Sequence, residues 1–323
     1  MKTNKDEDEN EDFTRPPSPH ENMFARFAFT VSREKSRSTS KVKFSIPSRI
    51  SHKRKRNADK ASDEEERNAK TKRVAIDKDL ELPSTISRSS SSNVELYEHL
   101  PLLHDNLNVG LDIIFCGINP GQRSAEIGHH YGNPNNHFWG CLYESGLTTR
   151  KLDPRDDVIL PQDFSIGLTN LVARPTAQQN ELSKDEQVAG VPILLGKVAR
   201  YKPRVLCFVG LGIADVFRSS IVADNQARGA AGANLKLKSK KSSTIGLQPY
   251  KMIHRSNSQG SSETLFFAVS STSGRVVRYQ KADKVKQFQD LRQLVRDIKD
   301  GIFDTSTMSQ IASPSIQDLE SHR

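Results

Sequence analysis

Residues 111–139, LDIIFCGINPGQRSAEIGHHYGNPNNHFW, decide how this chain of 323 residues is interpreted. The stretch begins with an apolar run, residues 111–116, which is short and rich in branched and aromatic side chains. Such a run predicts a buried strand. The sequence GINPG follows at residues 117–121, where Pro120 restricts the backbone of Asn119 and the glycines permit a sharp bend. Because ligands in open α/β sheets bind beyond the carboxyl ends of strands, this loop is a candidate binding site.

Flat rings and side-chain amides crowd into the second half of the same stretch. A nucleobase pocket needs an aromatic face for stacking and amides for hydrogen bonds to the base edge. The alternative is that residues 117–121 form only an ordinary turn, since Asn and Pro are common turn residues. The rings and amides in question are His129, His130, Tyr131, Asn133, Asn135, Asn136, His137, Phe138 and Trp139.

A second polar loop follows the last apolar run of the chain. Leu265–Val269 predicts a core strand, and the sequence SSTSGR occupies residues 270–275 directly after it. In a parallel sheet this loop and residues 117–121 would emerge at the same edge, so we expect both on one cleft. Small hydroxyl donors followed by Arg275 suit a phosphate backbone and an inserted side chain. The alternative is a serine-rich turn without a binding role.

The remaining patterns predict one domain over residues 96–303. Alternating strands and helices are typical of a three-layer α/β/α fold, and here they favour a mainly parallel central sheet. A glycine-, lysine- and serine-rich segment at about 220–245 predicts a flexible surface insertion. Further strands are expected at 165–172 and 205–209, and helices at 136–145, 213–217 and 280–299. A capping box of Ser183 and Glu186 predicts a helix running toward Tyr201, with an apolar face from Val188 to Val198, which Pro192 should kink or divide.

The two ends of the chain differ from this domain in composition. Residues 1–95 and 304–323 are rich in charged and polar residues and are predicted to be disordered tails. Two basic clusters, KRKR at 53–56 and KTKR at 70–73, predict a bipartite nuclear import signal or a DNA-tethering patch, and the tails offer sites for repair or regulatory partners. The net charge of +9 fits a polyanionic partner such as nucleic acid, although it also serves solubility.

Several function classes are disfavoured by what the sequence lacks. No apolar run approaches the roughly 20 residues that cross a bilayer, so no membrane partner is expected. The three cysteines have no CxxC spacing and sit in apolar contexts, which predicts buried thiols. Phosphate-loop motifs of nucleotide-binding proteins are missing, which weakens a small-molecule nucleotide site. Glu126 and the adjacent pair His129 and His130 are rival acid/base candidates, but Glu126 is disfavoured, and adjacent histidines cannot readily ligate one metal ion.

The motifs resemble, in order along the chain, those of the mismatch-specific uracil/thymine-DNA glycosylases. This family is a branch of the uracil-DNA glycosylase superfamily, and the chain is most similar to a eukaryotic, fungal-like member. The resemblance covers about residues 96–300. Its motifs are GINPG at 117–121, GHHY at 128–131, NHFW at 136–139, GLTNLVARPT at 167–176, YKPR at 201–204, GLQP at 246–249 and VSSTSGR at 269–275.

This resemblance implies a glycosylase that acts on double-stranded DNA without metal or organic cofactor, and we expect a monomer. Because residues 117–121 and 270–275 contain no lysine, we expect a monofunctional enzyme, and the two basic clusters predict a nuclear location. Its substrate would be uracil, with thymine or exocyclic cytosine adducts as further possibilities, mispaired with guanine and swung out of the helix. Asn119 would hold the attacking water, and backbone amides near Ile118 would stabilise the leaving base. Tyr131 would stack on the base and Asn170 would contact its edge. The open alternative is a non-catalytic module that binds mispaired or flipped bases.

The resemblance also assigns the remaining site residues. Ser271, Ser273, Gly274 and Arg275 match a wedge that contacts the DNA backbone and fills the gap left by the base. Gly274 stands where other members have Ala or Leu, so gap filling is expected to rest on Arg275. Ser124 stands where thymine-active members have Ala, so we expect uracil to be preferred over thymine. His130 is expected to line the base pocket.

Overall fold

The fold is built on a six-stranded sheet within the residues that the structure describes. The structure is a computed structural model that describes residues 97–227, 242–254 and 262–313. The strands lie in the order β2-β1-β3-β5-β4-β6. All neighbouring strands are parallel except the antiparallel pair β4 and β5. The predicted mainly parallel sheet is therefore confirmed. The strands are β1 Ile113–Gly117, β2 Ile166–Asn170, β3 Val205–Val209, β4 Gly246–His254, β5 Ser262–Val269 and β6 Ser309–Ile311.

Helices cover both faces of the sheet and complete the predicted three layers. They are α1 Gln122–Ile127, α2 Phe138–Glu144, α3 Leu160–Asp163, α4 Lys184–Tyr201, α5 Leu211–Ala227 and α6 Lys281–Lys299, with short 3-10 turns at Pro154–Ile159 and Gln179–Glu181. Strand alternation sends Phe115 toward α2 and α6, where it packs against Phe138 and Phe288. Its neighbour Cys116 faces α4 and α5 on the other side. All the described residues belong to one compact unit of the chain.

The parallel arrangement brings the carboxyl ends of four strands to one edge. Gly117, the last residue of β1, is paired with Asn170, the last residue of β2. β3 and β5 end together at Val209 and Val269, two positions that are also in register. The loops that follow these strands therefore meet at this edge, as the sequence predicted for residues 117–121 and 270–275.

Helix α4 differs from its prediction at Pro192. The capping box of Ser183 and Glu186 is confirmed, and the helix then runs without division to Tyr201. Val188 is 47% exposed rather than buried. Pro192 is also exposed and lies four residues later, hence on the same face. The carbonyl of Val188 that a residue with an N–H would have bonded is thus on the solvent side, where water replaces the missing donor.

Two boundaries were also wrong, and one strand was not predicted. α5 extends to Ala227, so the start of the segment expected to be a flexible insertion at 220–245 is helical; residues 228–241 lie outside the described part. β4 was not predicted, because Pro249 argues against a strand and is accommodated here by a register shift between Leu247 and Lys251. β6 lies inside the predicted 304–323 tail and pairs with β4, so the folded unit extends past residue 303.

The remaining predictions concern the N-terminal tail, the cysteines and membrane-spanning segments. The predicted tail at 1–95, including both basic clusters, lies outside the described residues. Cys116, Cys141 and Cys207 are buried free thiols, as predicted. Within the described ranges, no helix combines the length and apolar character that crossing a membrane requires.

Candidate active site

A cleft of about 1270 Å³ opens at the carboxyl edge of the sheet. Its lining includes the ten residues that the sequence singled out, so their predicted convergence on one cleft is confirmed. Tyr131 and Arg275, which are far apart in the chain, lie on the same cleft. The ten residues are Ile118, Asn119, Ser124, His130, Tyr131, Asn170, Ser271, Ser273, Gly274 and Arg275.

One wall is the asparagine loop, residues 117–121, which is bonded to the segment after β2 along its whole length. The carbonyls of Gly117 and Ile118 accept hydrogen bonds from the backbone of residues 171 and 172, both at 2.9 Å. The carbonyl of Pro120 accepts from the Thr176 N–H at 3.1 Å, and the Thr176 carbonyl accepts from residue 122 at 3.0 Å. Three main-chain bonds from this loop and one from the next residue thus fix it, and Pro120 has no N–H that needs a partner.

The side chain of Asn119 is held in one orientation by acceptors. Its Nδ2 donates to the Arg174 carbonyl at 2.9 Å and to the Thr176 hydroxyl at 2.8 Å. That hydroxyl donates its own proton to the Gln178 carbonyl at 2.8 Å, so toward Asn119 it can only accept. A flipped amide would set Oδ1 against two acceptors. The amide orientation is therefore chemically determined, and Oδ1, which has no donor among the described residues, is left for the cleft.

An ion pair holds the backbone that orients Asn119. The Arg174 guanidinium bonds to the Glu186 carboxylate at 2.7 Å and to the Glu181 carbonyl at 3.0 Å. The hydrogen bond from Arg174 lowers the pKa of Glu186 to about 2, so this carboxylate stays charged at neutral pH. Because Glu186 is also the capping residue of α4, the carbonyl that Asn119 uses is tied to the start of a long helix.

Tyr131 supplies the aromatic wall of the cleft. Its ring stacks on Phe138 with centroids 3.7 Å apart and planes 12° apart. Phe138 is fully buried, so one face of the tyrosine ring is fixed against the core, and the opposite face is left for a ligand. Burial raises the pKa of Tyr131 well above its ordinary value of 10, which keeps the hydroxyl neutral. Its backbone φ of 51° is in the left-handed region and aims the ring away from the regular path of the chain.

The floor of the cleft is formed where a glycine leaves room for an amide. A Cβ added at Gly117 would lie 2.6 Å from Asn170 Oδ1 and 3.4 Å from the Tyr131 hydroxyl. Gly117 is therefore required by the close approach of Asn170 rather than by backbone conformation. Within the described residues, the side-chain amide of Asn170 has no hydrogen-bond partner. It is available to a ligand edge that offers both a donor and an acceptor.

Ser124 and His130 line the cleft, but their polar atoms hold the aromatic loop, which we define as residues 128–137 between α1 and α2. The Ser124 hydroxyl is 6% exposed and accepts from the Gly132 N–H at 2.9 Å. His130 is 2% exposed, with Nε2 bonded to the His104 carbonyl at 2.9 Å, which makes Nε2 the protonated nitrogen. Burial lowers the pKa of His130, so the ring is neutral at physiological pH. Both residues line the cleft, as expected, and their hydrogen bonds hold the chain on either side of Tyr131.

The opposite wall is the serine loop, residues 270–275. The Ser273 N–H donates to the Ser271 hydroxyl at 3.4 Å, and the Arg275 N–H donates to the Ser273 hydroxyl at 3.3 Å. Gly274 lies so close to the aromatic loop that an added Cβ would be 2.5 Å from the Asn135 carbonyl oxygen. The Arg275 side chain is exposed and has no partner among the described residues. The loop thus presents an unpaired cation at the cleft rim.

The rival acid/base and metal candidates are accounted for by ordinary contacts. Glu126 bonds to the side chains of Gln122 and Arg123 on the surface of α1. His129 Nδ1 lies 2.9 Å from the Asp157 carboxylate, and the other oxygen of Asp157 accepts from the backbone of His130. Within the described ranges, no group of three or more His, Cys, Asp and Glu side chains is arranged to hold a metal ion.

Sequence reasoning missed the residues that orient the site. Thr176 and Arg174 were recognised only as part of a motif, and their contacts to Asn119 depend on the fold rather than on spacing. Lys284 was overlooked although a signal was present. It lies four residues before Phe288 on the apolar face of α6, where a lysine is unexpected.

A comparison with known families agrees with this geometry. The family model described as Uracil DNA glycosylase superfamily matches residues 104–299, which span both walls of the cleft and the sheet beneath it.

Proposed function

This chain belongs to the uracil DNA glycosylase superfamily, and we propose that it removes uracil mispaired with guanine from double-stranded DNA. Membership supports DNA glycosylase activity in general, which is a hydrolase activity on the N-glycosyl bond between base and deoxyribose. The observation that carries the finer proposal is the Asn119 amide, whose Nδ2 is held by the Arg174 carbonyl and the Thr176 hydroxyl. With Nδ2 held in this way, the Oδ1 atom of Asn119 would be a fixed acceptor for one water molecule.

The base must leave the duplex before it reaches the cleft. A mispaired uracil costs less to extrude than a paired one, which gives a first level of selection. The extruded ring would stack on the free face of Tyr131, and the amide of Asn170 would bond to its edge. Stacking of a base on an aromatic side chain contributes about 1–3 kcal/mol. Arg275 and the serine loop would occupy the gap and contact the phosphate backbone.

Hydrolysis would follow with Asn119 as the positioning group for water. Oδ1 accepts one hydrogen bond from the water, whose oxygen attacks the sugar carbon C1′ as the bond from C1′ to the base nitrogen breaks. The electron pair of that bond leaves with the base, and the proton that the water loses passes through solvent to the departing base anion as the abasic sugar forms. An amide cannot take the proton at neutral pH, so bond breaking must run ahead of attack. Backbone N–H groups near Ile118 would stabilise the negative base.

Ser124 supports a preference for uracil over thymine. Its hydroxyl is a polar group in the cleft lining, bonded to the Gly132 N–H next to Tyr131. A polar atom in this wall offers a thymine methyl less favourable contact than an alanine would. We propose robust action on uracil opposite guanine, action on exocyclic cytosine adducts, and weaker action on thymine.

The remaining parts of the proposal concern reaction type, assembly and location. The described residues that line the cleft include no lysine, which supports a monofunctional enzyme without an amine-dependent strand cleavage. We propose that it works as a monomer without a cofactor and enters the nucleus through the basic clusters at 53–56 and 70–73. The tails would supply the sites for repair or regulatory partners.

A duplex-nicking assay tests the proposal. Wild-type protein incubated with a G·U duplex should leave abasic sites that alkali converts to breaks, with slower cleavage of a G·T duplex. Asn119→Ala should lower the single-turnover rate on the order of a hundredfold or more, because the water loses its position. Equal rates on the two duplexes would refute the substrate preference. An unchanged rate in Asn119→Ala would refute the mechanism, and binding without any cleavage would favour a non-catalytic module.

A further inference from the structure

A buried lysine lies directly beneath the serine loop. Lys284, in the first turns of α6, is completely buried. Its Nζ donates to the Ser273 carbonyl at 3.1 Å and lies 3.3 Å from His137 Nδ1. Since an ammonium has only donors, His137 Nδ1 must be the unprotonated nitrogen of a neutral ring. The amine therefore joins the serine loop to the loop that precedes α2.

Two further contacts join the same pair of loops. The backbone N–H of His137 donates to the Thr272 carbonyl at 2.9 Å. Gly274 rests against the Asn135 carbonyl so closely that even a methyl group would not fit. The serine loop is thus attached to residues 133–137 at three adjacent points. His137 is followed directly by Phe138, which stacks on Tyr131, so these contacts relate the serine loop to the aromatic wall.

The position of Lys284 is unfavourable for stability. A buried ammonium loses its hydration, and a cation near a helix N-terminus opposes the helix dipole. A methionine would fill a similar volume without these costs, so packing alone does not explain a lysine here. What a methionine cannot provide is a donor that reaches both the Ser273 carbonyl and the ring of His137.

We propose that Lys284 is a positioning residue that holds the serine loop against residues 133–137, so that Arg275 is presented where the extruded base leaves its gap. This inference rests on the proposed function and names a residue that acts through the loop rather than on the substrate. Loss of Lys284 should weaken base extrusion and leave general DNA binding intact, because the exposed cation of the loop, Arg275, remains.

The charged surroundings make the same contact sensitive to acid. Lys281 from α6 and Glu144 and Cys141 from α2 face this pair of side chains, together with the Ser273 carbonyl. Burial, and then the positive charge of Lys284, lower the pKa of His137 from its ordinary value of 6.5. The ring is neutral and accepts from Lys284 above that lowered pKa. Below it two cations meet, and the contact is lost as the pH falls.

Base extrusion by the full-length protein can be measured separately from hydrolysis of the glycosidic bond. The probe is a duplex with 2′-fluoro-2′-deoxyuridine, which resists hydrolysis, opposite guanine and beside the fluorescent base 2-aminopurine. Lys284→Met should lower the extrusion equilibrium constant about tenfold, because a charge-assisted hydrogen bond is lost. Affinity for an undamaged duplex should stay within about twofold. Lys286→Met is the matched control, since Lys286 is 65% exposed on the same helix and pairs with Asp290; it should extrude the base like wild type.

If Lys284→Met does not fold, the proposal is tested by comparing the pH dependence of base extrusion in wild type and His137→Gln. Wild-type extrusion should decline as the pH is lowered below 6.5, the ordinary histidine value. His137→Gln keeps an acceptor for Lys284 but cannot be protonated, so its extrusion should stay level over the same range. The proposal is overturned if Lys284→Met extrudes the base as wild type does, or if the two pH curves coincide. Wild-type protein that neither extrudes nor cleaves would instead refute the proposed function and this inference with it.

Discussion

The asparagine loop and the serine loop face each other across one cleft, but they are attached to the fold in different ways. Residues 117–122 are bonded by four main-chain hydrogen bonds to the segment after β2, and the Asn119 side chain is fixed by two more. The serine loop is attached beside the aromatic loop through Lys284, and its Arg275 side chain projects freely. The first loop holds its functional side chain in place before the substrate arrives, whereas the second is held by its backbone and leaves the Arg275 side chain free to adjust to DNA.

This difference separates two kinds of work. A group that positions water loses its effect if it moves by a fraction of an ångström, so rigidity belongs on the asparagine side. A side chain that fills a gap in a duplex meets a deformable partner, so an exposed and unpaired cation suits the serine side. Substitutions in the first loop should therefore change the rate of the bound complex, and substitutions in the second should change extrusion.

A methyl group at Gly117 is the strongest test on the asparagine side. Gly117→Ala would set a Cβ 2.6 Å from Asn170 Oδ1, which must move away from the cleft floor. Overpacking of this kind costs about 1–3 kcal/mol, so the single-turnover rate at saturating enzyme should fall about 10- to 100-fold. Affinity for the G·U duplex should change little. A variant that binds poorly but reacts normally would break the comparison.

The same substitution in the serine loop should act differently. Gly274→Ala would set a Cβ 2.5 Å from the Asn135 carbonyl, and backbone cannot yield as a side-chain end can. The loop must shift, so extrusion should weaken about tenfold. Once the base is extruded, the rate of cleavage should match wild type. The 2-aminopurine signal and the single-turnover rate, measured together, separate these effects; a lowered rate with normal extrusion would contradict the assignment.

The smallest effect is expected at Ser124, between the two loops. Ser124→Ala removes the hydroxyl that accepts from the Gly132 N–H, which should lower stability by about 1 kcal/mol. It also makes this part of the cleft lining apolar, so the ratio of thymine to uracil cleavage should rise about threefold. Parallel G·T and G·U time courses give this ratio directly. An unchanged or lower ratio would remove Ser124 from the determinants of specificity.

The sequence predicted the parts of this molecule that depend on local pattern. The apolar runs that became β1, β3 and β5 were recognised, and the parallel rule placed the polar loops after β1 and β5 on one edge. The capping box of Ser183 and Glu186 began α4 as expected. The ten proposed site residues lie on one cleft because this edge collects them.

The features that the sequence did not predict depend on contacts between distant segments. β4 contains Pro249, a residue that is unusual inside a strand, and it pairs with β5 through a register shift between Leu247 and Lys251. Pro192 was expected to kink or divide α4, but the helix is not divided. Pro192 is exposed, so the Val188 carbonyl that lacks a donor lies on the solvent side. The orientation of Asn119 depends on Thr176, which is 57 residues away, so no spacing rule reveals it. Lys284 differs, because a lysine on an apolar helix face was visible in the pattern.

The measurement that tests the account most directly is a double-mutant cycle between Asn119 and Thr176, read as single-turnover rates on a G·U duplex. Thr176→Val removes the acceptor that fixes the amide and should slow wild-type protein about tenfold. If Thr176 acts by orienting Asn119, adding Thr176→Val to Asn119→Ala should change the rate by less than about twofold. A further tenfold loss in the double variant would show independent effects and contradict the claim that a fixed amide positions the water.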